Sequence, residues 1–525
     1  MPITGELFIG AERVATAQTF KGVRAETHQE MPTPFSVAGA SEISRACKLA
    51  AASFDAFREL PLAQRAQFLE VIATEIDTLG AELLDFTGQE TGLAAARLLG
   101  ERGRTTGQLR MFAEVVRRGD WIGARIDPAL PTRKPAARPD LRQRKIPLGP
   151  VAVFGASNFP LAFSVAGGDT AAALAAGCPV VFKGHPAHPA TSELVAAAIN
   201  AAARRCGVHE GVFSLLNGPG HELGATLVAD PRIKAVAFTG SRTGGTALMR
   251  IAAVRAEPIP VFAEMSSVNP VILLPGALRS RAEALGRAFV GSLTLGAGQF
   301  CTNPGLLFAV AGPELDHFVA AAAEALSHVE PAIMLTAGIR QAYVDAVVAR
   351  ADHAAVTRLD AGRAGDSPRH SRGALFGTTG AAFLSDPALA HEIFGAAALL
   401  VRCSNLQQLH NVLQDLEGQL TATLHMETVD QDAARALLPL LERKAGRILA
   451  NAWPTGVEVS HAMVHGGPHP ATSDSRSTSV GSLAIERFLR PVCYQDLPPE
   501  LLPAALRDDN PEQLGRRVDG VMQPP

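Results

Sequence analysis

Apolar and polar residues alternate along this chain with two different periods. In LPLAQRAQFLEVIATEIDTLG, residues 60–80, the positions Leu62, Ala66, Leu69, Ile72, Ile76 and Leu79 recur at steps of three and four. That is the spacing of one face of an amphipathic helix. The whole stretch 41–118 reads as helical, and residues 1–20 read as a short hairpin turning at Gly10. Beyond a Pro/Arg-rich linker at 128–143 the pattern changes. Short, β-branched apolar runs at 149–154, 179–182, 211–216 and 234–238 alternate with Ala-rich helical segments at 164–176 and 190–205. Continuous apolar runs separated by helices predict βαβ units around a buried parallel sheet. A second alternation runs from about 260 to 450, with strands expected near 259–263, 270–274, 306–310 and 396–401. The Gly/Arg-rich piece 362–380 reads as a mobile loop. No internal repeat or low-complexity tract interrupts the pattern.

Composition narrows the class. A chain of 525 residues is too long for one core, so two or three domains are expected. With 47% hydrophobic and 19% charged residues it is a globular composition rather than a disordered one. The net charge of −3, without a basic block, argues against nucleic acid or an anionic membrane as partner. The opening MPITGELFIG has neither a basic n-region nor a long apolar h-region, so no secretory signal is expected. No apolar run reaches transmembrane length, and a cytoplasmic location is the expectation. Cys47, Cys178, Cys206, Cys301, Cys403 and Cys493 form no C-x-x-C pair. A disulfide framework or zinc knuckle is therefore not expected, which fits a reducing compartment.

Several short stretches carry candidate chemistry. Cys301 stands in LGAGQFCTNPGLLF, where Asn303-Pro304-Gly305 stops any helix. A structural cysteine usually hides in a helix or strand; this one sits at a break. VAVFGASNFPLAFS is a strand–turn–helix junction holding Ser157 and Asn158, and ligands favour the carboxyl ends of strands in such sheets. Lys183 follows the strand Val180-Val181-Phe182, one of only seven lysines against 41 arginines. It is either an edge lysine snorkelling to water or a ligand for hydroxyl or phosphate groups, with His185 close behind. Gly240 and Ser241 in AFTGSRTGG lie between a strand and a helix, where backbone amides meet phosphates. NGPGHELG has its third glycine one residue too late for G-x-G-x-x-G and reads as an ordinary loop. Glu264 lies in the mostly apolar VFAEMSSVNPVIL; if buried, its pKa would rise toward that of a general base. His461, His465 and His469 in SHAMVHGGPHP have the four-residue spacing of a metal-binding helix face. Gly466-Gly467-Pro468 breaks that helix, so they read as a loop lining a pocket, and no metal is expected.

Taken in order, GASNFP, VVFKGHP, FTGS, FAEMSS, GQFCTNPG and HEIFG resemble the aldehyde dehydrogenase superfamily from about residue 40 to 490. GASNFP, KGHPAHP and HGGPHPATSD are most similar to the branch acting on α-ketoglutarate semialdehyde, an intermediate of sugar-acid and hydroxyproline breakdown. Long-chain fatty aldehyde dehydrogenases share several of these motifs. The resemblance implies an α/β fold: a Rossmann-like NAD(P)-binding domain (1–125 and 149–260), a catalytic domain (261–450) and a β-strand oligomerisation flap (126–148 and 485–525). It implies that Cys301 attacks the aldehyde carbon to give a thiohemiacetal. The oxyanion would be held by the Asn158 amide and the Cys301 backbone N–H. Hydride then passes to the cofactor, and Glu264 activates the water that hydrolyses the thioester. Lys183 would bind the adenosine ribose, with Ser157 and His185 nearby. Gly240 and Ser241 would lie at the pyrophosphate, and Glu392 and Phe394 at the nicotinamide ribose and ring.

The chain departs from the family at three places. Pro186 replaces a common glutamate that grips the ribose 2′-hydroxyl, His391 precedes Glu392 where an acid is common, and Ala396 stands where proline is common. The missing acid at Pro186 leads to the expectation of NADP, with NAD also accepted. The partners expected are a small aldehyde and further copies of the chain, as a homodimer or homotetramer. Two other classes stay open on the residues alone. One is a cysteine hydrolase, which needs a histidine beside the thiol; the other is a catalytically silent relative.

Overall fold

The computed structural model describes residues 3–524 apart from 366 and 368. The amino-terminal hairpin is present as Leu7–Ile9 and Glu12–Val14, turning at Gly10. Residues 41–118 form four helices: Ala40–Arg58, Leu62–Thr78, Gly80–Thr91 and Ala95–Arg118. In the second of these, Ala66, Leu69, Ile72 and Ile76 are buried as the periodicity requires. Arg65 is buried on the same face, its guanidinium donating to the carbonyls of Phe57, Arg58, Ala175 and Ala176. It ties the ends of the helices Ala40–Arg58 and Gly168–Ala176 to the helix Leu62–Thr78.

The first sheet runs Val261–Glu264, Ala235–Thr239, Val151–Phe154, Val180–Lys183, Phe213–Leu216, with the hairpin strands completing the far edge. The first five are parallel. Successive side chains of a strand point to opposite faces, and the sheet shows it. Val151, Val153, Val180 and Phe182 join one core, under Leu62–Thr78, Gly168–Ala176 and Pro189–Arg205. Ala152, Phe154, Val181 and Val236 join a second core, under Ala40–Arg58, Glu222–Ala229 and Arg242–Ala253. Helices on both faces require strands apolar on both sides, the source of the continuous runs in the sequence. Taken in chain order, the parallel strands lie 5-4-1-2-3. The order reverses between Val151–Phe154 and Ala235–Thr239, the doubly wound switch point where such sheets open a crevice.

The second sheet runs Thr357–Ala361, Ala374–Thr379, Ala397–Cys403, Leu306–Val310, Val271–Leu273, Gln419–His425, Ala445–Ala450. All neighbours are parallel except the first pair. A third sheet joins Leu489–Gln495, Leu141–Pro147, Arg125–Asp127, Arg516–Val518 and Val521–Gln523.

Three expectations are corrected. The strand expected to open the second alternation, Val261–Glu264, pairs with Ala235–Thr239 and edges the first sheet; its VFAE motif is as apolar as the strands of either sheet, so pattern alone does not assign it. The expected mobile loop 362–380 contains the strand Ala374–Thr379, buried over its first five residues and paired with Ala397–Cys403. Its glycines and arginines masked the LF pair that enters the core, while positions 366 and 368 lie outside the described residues. The linker ends early, because Leu141–Pro147 is already a strand of the third sheet. Among the described residues no helix is long and apolar enough to cross a membrane.

Candidate active site

The carboxyl ends of the first sheet and the loop entering Leu306–Val310 of the second meet at Cys301. That loop is built to be rigid. Gly296, Ala297 and Gly298 all take positive φ (56°, 59° and 69°). At Gly298 a side chain is impossible, since a Cβ would lie 2.3 Å from the Ala396 nitrogen and the Gly395 carbonyl carbon. The Cys301 loop thus lies against the backbone of the HEIFGA segment, and Asn303 Nδ2 donates to Gly395 O (3.0 Å). From the other side, Asn269 Nδ2 donates to Cys301 O (2.8 Å) and Asn303 O (2.9 Å). Asn158 Nδ2 donates to Gln299 O (3.0 Å), two residues before the thiol. The turn carrying Asn158 is held by Glu101, whose Oε1 accepts from Leu161 N (2.9 Å) and Ala162 N (3.0 Å).

Glu264 ends the edge strand of the first sheet and is only 3% exposed. Its Oε1 lies 3.0 Å from His465 Nε2, and its Oε2 accepts from Ser479 Oγ (2.8 Å). The same His465 Nε2 lies 3.4 Å from Cys301 Sγ. Ser479 is itself fixed through its backbone N, which donates to His465 O (2.8 Å), and His465 N donates to Thr478 Oγ1 (2.8 Å). His465 reaches the site because Gly467 follows it: at φ +153°, a Cβ there would sit 2.1 Å from Gln419 O. His461 and His469 are exposed, and the segment is irregular rather than helical.

The expected rise in the Glu264 pKa is not found. Burial does push the carboxyl up, but the facing His465 imidazole and hydrogen bonds from His465, Ser479 and Cys301 outweigh it and hold the carboxyl below its usual range. For Cys301 the balance goes the other way. Burial and the neighbouring Glu264 carboxylate, with Glu392 farther off, push the thiol well above its usual value against the pull of Arg447.

The other candidates fall into two groups. Lys183 ends its strand at the mouth of the first sheet. Burial alone lowers its pKa to about 8, and among the described residues no carboxylate pairs with it. Ser157 is half-buried in the turn after Val151–Phe154. Ser241 caps the helix Arg242–Ala253 by accepting from Gly244 N (3.1 Å), with Gly240 exposed beside it across the switch point. His185 stacks on His188 at 5.5 Å; burial, His188 and Lys183 push its pKa well below the usual value, so it is a neutral ring. Glu392 and Phe394 line one pocket with Gly298 and Asn303, on the second-sheet side of the thiol. Burial, partly offset by a hydrogen bond from Ser266, raises the Glu392 carboxyl to about 7.

Residues 14–486 match the aldehyde dehydrogenase family. The chain belongs to that family. It is 56% identical over 522 residues to alpha-ketoglutaric semialdehyde dehydrogenase 2 of Azospirillum brasilense, covering 99% of both chains. It is 50% identical over 520 residues to the alpha-ketoglutaric semialdehyde dehydrogenase of Acinetobacter baylyi, covering 99% of this chain and 98% of that one. In fold it resembles a mutant of aldehyde dehydrogenase C from Pseudomonas syringae, solved with NAD+ and octanal. That structure matches at a TM-score of 0.81 and 19% identity, over 95% of this chain and 98% of that one. As an aldehyde dehydrogenase the chain takes an aldehyde and NAD(P)+.

Sequence reasoning named Cys301, Glu264 and Asn158 but did not place His465 between the first two, and it missed Ser479, Asn269 and Glu101. The histidine had a signal, since HGG follows an otherwise ordinary loop; the polar supports are single residues with none.

Ser479→Ala removes a donor to the charged form of Glu264. The carboxyl pKa then rises, and the acidic limb of the pH–rate profile for aldehyde oxidation moves to higher pH while the plateau rate stays close to wild type. Initial rates from pH 5 to 9 check this.

Proposed function

We propose that the chain oxidises α-ketoglutarate semialdehyde (2,5-dioxopentanoate) to α-ketoglutarate with NAD(P)+, through a thioester on Cys301. The observation that carries the reading is the convergence of a thiol from one sheet with a buried, ionised carboxylate from the other. The substrate class draws support from identity over nearly the full length to two semialdehyde dehydrogenases and from cations near the thiol. Arg104 donates to Val457 O, and Arg447 to Pro454 O (2.8 Å) and Gly456 O (3.0 Å), bracing a loop that docks on Thr302. Arg104 Nε and Nη2 and Arg447 Nε remain buried without a partner among the described residues, and both guanidinium groups lie within electrostatic reach of Cys301. A substrate with a carboxylate and a ketone supplies the missing acceptors; a fatty aldehyde does not.

The residues fit a dinucleotide. Lys183, a cation without a carboxylate partner among the described residues, stands at the sheet mouth, and a capped helix N-terminus faces the switch-point crevice. Lys183 would hold the adenosine ribose with Ser157 and His185 nearby, Gly240 and Ser241 the pyrophosphate, and Glu392 and Phe394 the nicotinamide ribose and ring. When bound, the nicotinamide accepts the hydride. The chain's own part is to present the Cys301 thiolate to the aldehyde carbon, and to meet the oxyanion with the Asn158 amide and the Cys301 backbone N–H. Glu264 then takes a proton from the water that hydrolyses the thioester. We read the third sheet, whose edge strand Leu489–Gln495 is paired on one side only among the described residues, as the surface joining two or four copies; light scattering of the purified chain decides the number.

A histidine does stand beside the thiol, the one feature a cysteine hydrolase requires. In a catalytic triad, however, histidine uses both ring nitrogens, one toward the nucleophile and one toward the acid. Here a single nitrogen faces both, so the geometry favours the dehydrogenase.

Assayed by growth of reduced cofactor, the wild-type chain will turn over α-ketoglutarate semialdehyde with a higher kcat/KM than octanal. Cys301→Ser will abolish the signal with cofactor binding intact. Equal rates on both aldehydes refute the substrate reading, and turnover by the serine variant refutes the nucleophile. Glu264→Gln separates the half-reactions. One equivalent of reduced cofactor per site appears in a burst, followed by a steady rate lower by about 10²–10⁴-fold, with the acyl group visible on Cys301 by intact-protein mass. NADP+ is used at least as well as NAD+, because Pro186 sets no carboxylate against a 2′-phosphate and Lys183 offers a cation to it. As Lys183 is charged below about pH 8 and neutral above it, NADP+ affinity of the free enzyme falls relative to NAD+ between pH 7 and 9. A flat ratio in a binding titration contradicts this assignment.

A further inference from the structure

Cys301, Glu264 and His465 form a cluster whose donor atoms all lie within 4.8 Å of one another. It poses a problem that the thioester reading leaves open. The carboxylate is ionised and the thiol is protonated at rest, yet the thiolate is the species that attacks. The thiol proton can pass to Glu264, the carboxylate in hydrogen-bond contact with it. That transfer leaves a negative sulfur in a buried site, where an uncompensated charge is costly.

His465 answers it through its geometry. Its side chain is fully buried, and Nε2 alone faces both reacting groups, at 3.0 Å from Glu264 Oε1 and 3.4 Å from Cys301 Sγ. Nδ1 is buried without a partner among the described residues, so the ring has a single proton to offer at this site. We propose that His465 is a switchable hydrogen-bond donor that follows the negative charge of the Cys301–Glu264 pair, serving the carboxylate at rest and the thiolate during attack. In the step, the Cys301 S–H bond breaks and an O–H bond forms on Glu264. The charge moves from oxygen to sulfur, and the Nε2–H turns from Oε1 to Sγ while keeping its proton. The total charge of the trio is unchanged. The proton on Glu264 leaves to solvent before hydrolysis, as one of those that aldehyde oxidation releases.

The remaining charged groups around the trio stay fixed. Ser479 holds the other carboxylate oxygen, and Asp169, which faces Glu264, is paired with Arg487 (2.7 Å). Arg104, Arg447 and Glu392 act on Cys301 from farther away. The Phe163 ring, 6.2 Å from the imidazole, closes the apolar side. A cysteine–histidine–carboxylate trio is also a donor set for zinc. A ligating imidazole, though, normally hands its second nitrogen to a carbonyl or carboxylate, and among the described residues Nδ1 meets neither.

The inference rests on Cys301 being the nucleophile, and its test is independent of turnover. The full-length enzyme and its His465→Phe and His465→Gln variants are alkylated with iodoacetamide from pH 6 to 10, following the Cys301 peptide by mass. His465→Phe is expected to react at least about tenfold more slowly at pH 7.5, for one charge-assisted hydrogen bond lost, with its profile shifted to higher pH. His465→Gln, which offers an N–H in place of Nε2–H without titrating, recovers most of the rate. His465→Ala substitutes for the phenylalanine variant if that chain does not fold. Three results overturn the proposal: an unchanged rate and profile in the phenylalanine or alanine variant, a glutamine variant no faster than these, or wild-type alkylation accelerated by a chelator. A donor effect on alkylation in an enzyme that oxidises no aldehyde refutes the thioester reading and leaves this one standing.

Discussion

A carboxylate taken out of water costs several kcal/mol even after its surroundings relax, and Glu264 is almost wholly out of water. It is tolerated because donors reach it from a segment some two hundred residues further along the chain, His465 Nε2 on one oxygen and Ser479 Oγ on the other. Much of the architecture serves that meeting. The edge strand of the first sheet delivers the acid, and the irregular stretch 460–480 crosses from the second sheet to cover it. Gly467 lets the crossing backbone lie against Gln419. The crossing stretch also pairs with the strand, through Met265 N to Ala471 O (2.8 Å) and Ser473 N to Ala263 O (2.9 Å). Without those partners, burial would drive the carboxyl to its protonated form.

The loop that carries Cys301 follows a different logic. Three consecutive left-handed residues are unfavourable without tertiary support, and the support here is polar and specific. Asn269 holds two of its carbonyls, and Asn303 anchors it to Gly395. The backbone that carries the thiol is thereby held from two sides, by Asn269 and by the Gly395 carbonyl.

Much of this was legible in the sequence, and the parts that were not share a cause. Strands such as Val151–Phe154 and Val180–Lys183 announced themselves because both faces are buried and the runs are continuously apolar. The helix Leu62–Thr78 did so by its period. Val261–Glu264 was equally visible as a strand but not as a member of the first sheet, since pairing partners are set by long-range contacts that no local pattern encodes. Ala374–Thr379 was hidden by glycines and a threonine pair in a stretch already rich in loop residues. Within the site, Cys301 and Glu264 stood out because a thiol at a turn and an acid in an apolar strand each break a local rule. His465 broke one too, but three histidines at equal spacing drew attention to one another, when the relevant neighbours were a thiol and an acid far away in the chain. The fall in the Glu264 pKa was unreadable for the same reason: burial can be guessed from a strand, whereas hydrogen-bond donors cannot.

The placement of Glu264 on the first sheet bears on how such an enzyme can be taken apart. The strand that ends in the acid hydrogen-bonds to Ala235–Thr239, beside the crevice, while the thiol enters on the second sheet and the histidine on a segment crossing between them. The cluster of Glu264, His465 and Cys301 is therefore not the property of either half. A recombinant that took the chain up to and including Glu264 from a relative would draw the carboxylate from one parent and Cys301 and His465 from the other, whereas a joint just before residue 264 would keep the three together but divide the strand Val261–Glu264. Either joint divides something the fold holds together: the first the trio, the second the edge strand that pairs with Ala235–Thr239.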